Sequence, residues 1–345
     1  MRVAVLSGGR SSEHDISLLS GEAVAEGLEA AGHEVIRIQI EKSGLWITDG
    51  HPVEIRPGEG LAVDGDLVSL DAVFPVLHGP FGEDGVTQGA LDTIGVPYAG
   101  SDVLASAVCM DKLTLKRLCG FHGIPQVGFV QAFTPGWKEQ ALELEFPLWV
   151  KPSRLGSSVG ISKVTDRDDL DAAVREAAKF DPRVIIEANS PGREIECSVL
   201  GNEDAEASLP GEILTDDEWY DYEAKYTEGR TRIAAPADLD DKTTAAVRDL
   251  ATRVFTMAGC SGLARCDFFV EEDTAEPGEA VTEPGEPAPG QSRILLNEIN
   301  TIPGFTRTSV YAKLWEATGL AYPDLCDRLV ELAIQRHKSA SEHSF

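Results

Sequence analysis

Two short strand-like segments place oxygen donors where they could hold a hard cation. Arg265-Cys266-Asp267 lies in one and Asn297-Glu298-Ile299-Asn300 in the other, with an acidic insert between them. Side chains two apart in a strand share a face, so Arg265 points with Asp267, and Glu298 with Asn300. Their alternates, Cys266 with Phe268 and Ile299 with Leu295, are expected to face the core. If the two strands pair, Asp267, Glu298 and Asn300 meet beside one guanidinium, a donor set that suits Mg²⁺ and not zinc. The same spacing would also serve as the polar outer face of an antiparallel hairpin.

A second segment, Lys151-Pro152-Ser153-Arg154-Leu155-Gly156-Ser157-Ser158-Val159-Gly160, puts a lysine at a strand end ahead of a Gly/Ser loop. The free backbone N–H groups of such a loop could cover a polyphosphate. It is not a P-loop, where the lysine follows the glycines, and a Gly/Ser turn can be no more than a turn. Lys112 could meet the same phosphates or be a solvated helix lysine. Near the N-terminus, Gly8-Gly9-Arg10-Ser11-Ser12-Glu13-His14-Asp15-Ile16-Ser17 joins a strand to a helix, where a phosphate or a substrate charge could be met. It lacks the G-x-G-x-x-G spacing, although Glu41 after the next strand keeps a dinucleotide site open. Glu13 would repel a pyrophosphate and better suits an ammonium group.

These residues need a scaffold, and the apolar patterning supplies one. A strand over residues 3–6, a helix over 17–31 and a strand over 35–40 open an α/β unit with a parallel sheet. A strand over 72–77 ends in His78-Gly79-Pro80-Phe81-Gly82-Glu83-Asp84-Gly85, at the strand C-terminus where α/β sheets collect ligands. The pattern then predicts a helix over 102–119 and strands near 127–131 and 148–151, a small α+β domain. A third part carries strands over 194–200, 263–270 and 293–300. The chain divides into domains at 1–101, 102–186 and 187–345. Residues 271–292 hold seven acids, no base and four prolines, with Glu-Pro-Gly-Glu at 276 and again at 283. That composition reads as a loop without a core, joining two paired strands; a tail that binds a partner is the other reading.

At 345 residues the chain exceeds the size of one core, and 42% hydrophobic residues fit a globular enzyme. A net charge of −28 excludes nucleic acid and anionic membranes as partners, since both need a basic surface. The six cysteines show no C-x-x-C spacing and read as reduced, buried thiols. With no apolar stretch long enough to span a membrane and no signal-peptide pattern, a cytoplasmic location is expected.

In this order the motifs closely resemble the D-alanine:D-alanine ligases of the ATP-grasp superfamily over nearly the whole chain. The resemblance rests on Ser7-Gly8-Gly9 to Ser17, His78-Gly79 to Gly85, Met110-Asp111-Lys112-Leu113, Lys151 to Gly160, Gly192-Arg193-Glu194, the segment 220–226, Arg265-Cys266-Asp267 and Asn297 to Ser309. It implies an ATP-grasp fold of α/β and α+β parts with an N-terminal Rossmann-like, parallel-sheet (preATP-grasp) domain. It also implies ATP and D-alanine as substrates, a D-alanyl phosphate intermediate, a dipeptide product for peptidoglycan precursors, and a homodimer.

Residue by residue, the resemblance implies that Asp267, Glu298 and Asn300 bind two Mg²⁺ or Mn²⁺ ions bridging the ATP phosphates, which Lys112, Lys151 and Lys225 contact. Ser157 and Ser158 would close over the nucleotide, and Glu187 and Glu194 would hold its adenosine end. The family often has lysine after the Glu187 position; here it is Ala188, so adenine recognition must rely on other groups. Glu13 would pair with the first ammonium, with His78 close by; Arg265 and the Gly304 N–H would stabilise the oxyanion; Ser309 would take the second carboxylate and Val310 line its pocket. Tyr226 would link through Ser157 to Glu13, and it favours an amine over D-lactate as acceptor. The competing readings are another ATP-grasp ligase with a different acceptor, an NAD-dependent dehydrogenase and a nucleotide-binding module without catalysis.

Overall fold

The computed structural model describes residues 1–215, 231–272 and 292–342. Lys225, Tyr226 and the rest of segment 220–226 lie outside them, as do residues 273–291 of the acidic insert.

Val3, Ala4, Val5 and Leu6 are each at most 2% exposed, which marks a strand covered on both faces. The strand Arg2–Gly8 is the inner member of a parallel trio with Glu34–Ile40 and Ala72–Pro75. From Glu34–Ile40 the sheet continues as an antiparallel meander through Trp46–Thr48, His51–Arg56, Gly60–Val63 and Asp66–Val68. The parallel character is thus confined to the trio that carries the N-terminal and His78 loops at its C-terminal end. The helix His14–Ala30 lies tightly on this sheet: a Cβ at Gly21 would come within 2.4 Å of the Ser7 Cβ.

The predicted 102–119 helix is two helices, Val103–Met110 and Lys112–Phe121. Asp111 between them is extended, and its carboxylate accepts from the Thr114 N–H, as an aspartate N-cap does. The break puts Lys112 in the first turn of a new helix, and Lys116 one turn along the same face. A four-stranded sheet follows, in the order Ser162–Val164, Leu148–Pro152, Val184–Ala188, Phe129–Gln131. The strand Val184–Ala188, which a division at residue 186 would cut, pairs with both Leu148–Pro152 and Phe129–Gln131, so all of it lies in this sheet.

The last sheet is antiparallel, in the order Thr231–Ala234, Gly211–Thr215, Arg193–Gly201, Gly262–Glu271, Arg293–Asn300, with Glu206–Ala207 beside Arg193–Gly201. One core holds Val3, Val5, Leu28 and Phe74 of the N-terminal part together with Leu263, Phe305, Trp315 and Leu329. A second unites the helices at 103–121 with this sheet, and the four-stranded sheet has a core of its own. All six cysteines are free and buried. Among the described residues no helix is long and apolar enough to cross a membrane.

Candidate active site

The two donor-bearing strands pair as their spacing requires: Arg265 faces Asn300 and Asp267 faces Glu298. The strand Arg193–Gly201 lies on the other side, with Glu196 opposite Asp267. Three carboxylates, of Glu196, Asp267 and Glu298, therefore stand in one rung across three strands. Like charges facing each other across a sheet are destabilising, so this rung serves something other than stability. The register slips by one residue after Asp267, where Phe268 pairs with Leu296. This bulge corrects the expected alternation. Leu296 joins Cys266, Phe268 and Ile299 in the core beneath the rung, and Leu295, also buried, lies on the opposite face.

Cations neutralise the rung. Arg265 donates from Nε and Nη2 to the two oxygens of Asp267, each at 2.7 Å, and its Nε lies 2.9 Å from Glu196 Oε2. Asn300 donates to Asp267 Oδ2 at 2.9 Å. Lys112 Nζ sits 3.0 Å from Glu298 Oε2 and donates to the Leu155 carbonyl. Burial opposes the charge on Lys112, but Glu298 outweighs it and the lysine's pKa is raised. Glu187, 2% exposed, is gripped by Lys151 at 2.6 Å and Lys116 at 2.9 Å. Burial alone would push this carboxyl up; the two lysines prevail and hold it at about 2.

A cavity of about 280 Å³ runs between the two sheets, lined by Lys112, Lys151, Ser157, Ser158, Glu187 and Glu194, and by Asp267 and Glu298. Trp149, Ile161, Val127 and Phe269 give it apolar walls, and the Trp149 indole donates to Asn189 Oδ1 at 3.0 Å. Ala188, where the family often has lysine, lies in the same lining. Ser157 and Ser158 both adopt left-handed backbone, with φ of 51° and 58°. Such conformations cost non-glycine residues energy and concentrate at ligand-holding loops.

That loop also reaches the N-terminal domain, where Ser157 Oγ donates to Glu13 Oε1. Gly79 is close enough that a Cβ there would lie 2.4 Å from Glu13 Oε2, so the His78 loop can pass only as glycine, in its left-handed conformation. His78 Nδ1 donates to the Ile302 carbonyl at 2.9 Å, and Ser20 Oγ is 3.0 Å from Nε2. Burial is the main influence on His78 and lowers its pKa, which keeps the ring neutral. The Gly304 loop is pinned on both sides. Phe305 is fully buried against Phe74, Tyr311 and Tyr322, and the Tyr322 hydroxyl donates to its carbonyl at 2.6 Å. Ser309 holds the N-cap position of the helix Val310–Thr318 without a capping bond from its side chain, whose Oγ accepts from the Thr306 N–H and lies 2.8 Å from Thr306 Oγ1. Val310 is buried against Ile213 and Leu314.

Among the described residues no three His, Cys, Asp or Glu side chains converge into a metal cage. Asp267 and Glu298 instead offer two carboxylates to the cavity, and the Asn300 amide, which donates to Asp267, adds one neutral oxygen donor beside them. Mg²⁺ suits such a set, because it commonly takes one or two carboxylates and completes its octahedron with phosphate oxygens and water. The residues present therefore fit a divalent cation that arrives with a polyphosphate.

A family model described as "D-ala D-ala ligase N-terminus" matches residues 2–101, and one described as "D-ala D-ala ligase C-terminus" matches 118–286 and 288–331. The chain belongs to the D-alanine–D-alanine ligase family. Curated D-alanine–D-alanine ligases of Solibacter usitatus and Deinococcus radiodurans are each 43% identical to it, over 98% and 97% of this chain and 97% and 98% of theirs. The D-alanine–D-alanine ligase of Coxiella burnetii superposes with a TM-score of 0.84 at 35% identity, covering 99% of this chain and 96% of that one. The VanG D-Ala:D-Ser ligase of Enterococcus faecalis gives 0.81 at 34%, covering 96% and 99%. An ATP-grasp ligase fold and ATP as a substrate are what this family membership carries.

Three residues near the site were not singled out from the sequence. Lys116 lies four residues after Lys112, and Glu196 two after Glu194, so helix and strand periodicity could have found both. Glu83 needed the fold: it accepts from the Gly79 N–H at 2.8 Å and, across the domain junction, from the Ile302 N–H at 2.9 Å. Part of the side chain reaches the surface, yet burial of the carboxyl, seconded by the charge of Glu13, raises its pKa to about 8. A carboxyl raised in the fold favours folding most fully below its unfolded value near 4.5, and that contribution fades as pH climbs through about 8. The unfolding midpoint is therefore expected to fall from about pH 5 to about pH 8. In Glu83→Gln, differential scanning fluorimetry should show a lower but flatter profile over that range; an unchanged slope would refute the assignment.

Proposed function

We propose that the chain is an ATP-dependent carboxylate–amine ligase that joins two molecules of D-alanine into D-alanyl-D-alanine, with release of ADP and phosphate. The observation that carries this reading is the meeting of four chain segments at one cleft. Lys112 reaches Glu298 and Ser157 reaches Glu13, so a phosphate-binding wall and an ammonium-binding carboxylate share one space. Glu13 fixes the ammonium of the first D-alanine, with neutral His78 beside it. Lys112 and Lys151 hold the ATP phosphates, and Asp267, Glu298 and Asn300 would hold one or two Mg²⁺ or Mn²⁺ ions. Those ions supply charge neutralisation on the transferring phosphoryl group.

The first carboxylate attacks the γ-phosphorus, the bond to the ADP oxygen breaks, and an acyl phosphate forms. The amine of the second D-alanine, placed by Ser309 at its carboxylate, then attacks the acyl carbonyl. Arg265 and the Gly304 N–H bear the oxyanion, phosphate departs, and the amine gives up a proton to leave the peptide bond. Glu187 and Glu194 complete the nucleotide end of the cleft. For Glu187 the lysine pairs support a role in fixing Lys151 at least as much as direct contact with adenosine.

The test is phosphate release with ATP, Mg²⁺ and D-alanine, with the product identified by mass spectrometry. D-Alanine alone should give release and dipeptide, L-alanine neither. Adding D-lactate or D-serine in excess should leave D-alanyl-D-alanine the main product. No release with D-alanine would overturn the reading, and a dominant mixed product would reassign the acceptor.

A further inference from the structure

The carboxylate rung contains one member that the cation site does not need. Glu196 is 4% exposed, stands opposite Asp267 and lines the cleft. The proposed cation set of Asp267, Glu298 and Asn300 does not include it. Its nearest charged partner among the described residues is Arg265, at 2.9 Å from Nε. Arg265 has a second anchor in Asp267, which takes the Nε–H and one Nη2–H, so that Glu196 meets the guanidinium as an ion pair. Asp267 cannot serve the guanidinium alone if it also offers its oxygens to a divalent cation. A cation draws electron density from the carboxylate and competes for the same lone pairs, so the Asp267–Arg265 pair weakens when the site is loaded. An arginine whose carboxylate anchors weaken is less firmly aimed, and an oxyanion donor works only when its aim is fixed beforehand.

We propose that Glu196 is a positioning residue for Arg265: it holds the guanidinium in place while Asp267 shares its oxygens with the cation. The inference rests on the ligase reading above. It explains why a buried glutamate sits in a rung already rich in negative charge. Glu196 supplies the anion that Arg265 keeps, and Asp267 the anion that the metal takes. Removing it leaves the cation site whole and loosens the catalytic donor.

Glu196→Gln preserves shape and still offers an oxygen to Arg265 Nε, so it should fold, and Glu196→Asp tests whether charge alone at a shorter reach suffices. With wild-type ligase activity established first, Glu196→Gln is expected to lower kcat about 10- to 100-fold, with KM for ATP within about twofold of the parent. Mn²⁺ binding in the presence of ADP, followed by electron paramagnetic resonance, should stay within about twofold. On an Arg265→Lys background the same substitution should add little, because two residues acting through one group are not additive. Glu196→Asp should recover part of kcat. An unchanged kcat, a more than tenfold loss of Mn²⁺ affinity, or a fully additive effect with Arg265→Lys would each overturn the proposal. A wild-type chain without turnover would instead remove the ligase reading, which these comparisons presuppose.

Discussion

Replacing Glu298 with glutamine is expected to cut D-alanine-dependent phosphate release about a thousandfold while the unfolding midpoint moves by only a few degrees. Glu298 faces Asp267 across the sheet and sits 3.0 Å from Lys112 Nζ, at the point where the phosphate wall meets the carboxylates. If Glu298 holds the cation as proposed, its loss removes several kcal/mol of charge stabilisation in phosphoryl transfer, and about 4 kcal/mol corresponds to a factor of a thousand in rate. The stability effect is small for separate reasons. The Glu298 side chain is 23% exposed, Lys112 keeps its bond to the Leu155 carbonyl, and the glutamine oxygen can still accept from it. A partly solvated pair contributes about 1 kcal/mol or less. Steady-state phosphate release with thermal unfolding of the same preparation checks both halves. Activity within tenfold of wild type would show that the cation lies elsewhere.

Strand alternation alone predicts the shared face of Arg265, Asp267, Glu298 and Asn300, because all four lie on the near side of the bulge. Leu295 is buried as expected, yet on the face opposite Ile299, because it lies beyond the bulge where Asn297 adds one residue to its strand and flips the faces. The helix break at Asp111 was legible in principle, since an aspartate ahead of Lys-Leu-Thr is a helix start, but the unbroken apolar pattern masked it. What could not be read locally are contacts of long sequence separation. Nothing near Glu83 announces that its carboxylate will take the Ile302 N–H 219 residues away, nor does Ser157 announce Glu13. Such contacts depend on the N-terminal sheet and the C-terminal helices sharing one core, a property of the assembled fold.

Glu187→Gln should show the opposite pattern to Glu298→Gln, with a large loss of stability that precedes any question of catalysis. Both oxygens of Glu187 are held by lysines, and Glu187 and Lys116 are each 2% exposed. A glutamine there would leave Lys116 with a buried, uncompensated charge, and breaking a buried pair from one side costs about 3–5 kcal/mol. For a domain of this size that is on the order of a 10 °C fall in midpoint. Lys151, 13% exposed, can turn toward water; Lys116, at 2%, has no such outlet. Removing the stranded charge should therefore restore most of the loss. Lys116→Met with Glu187→Gln is expected to unfold well above Glu187→Gln alone, and Lys116→Met by itself to cost less, because Glu187 then keeps Lys151. The pH dependence has a defined sign. The Glu187 carboxyl lies at about 2, below its unfolded value near 4.5, so its contribution is complete above 4.5 and disappears as pH falls toward 2. Wild type should thus lose more stability than Glu187→Gln on acidification through that window. Equal acid sensitivity of the two, or a double variant no more stable than Glu187→Gln, would mean that the lysine pairs do not stabilise this wall of the cavity.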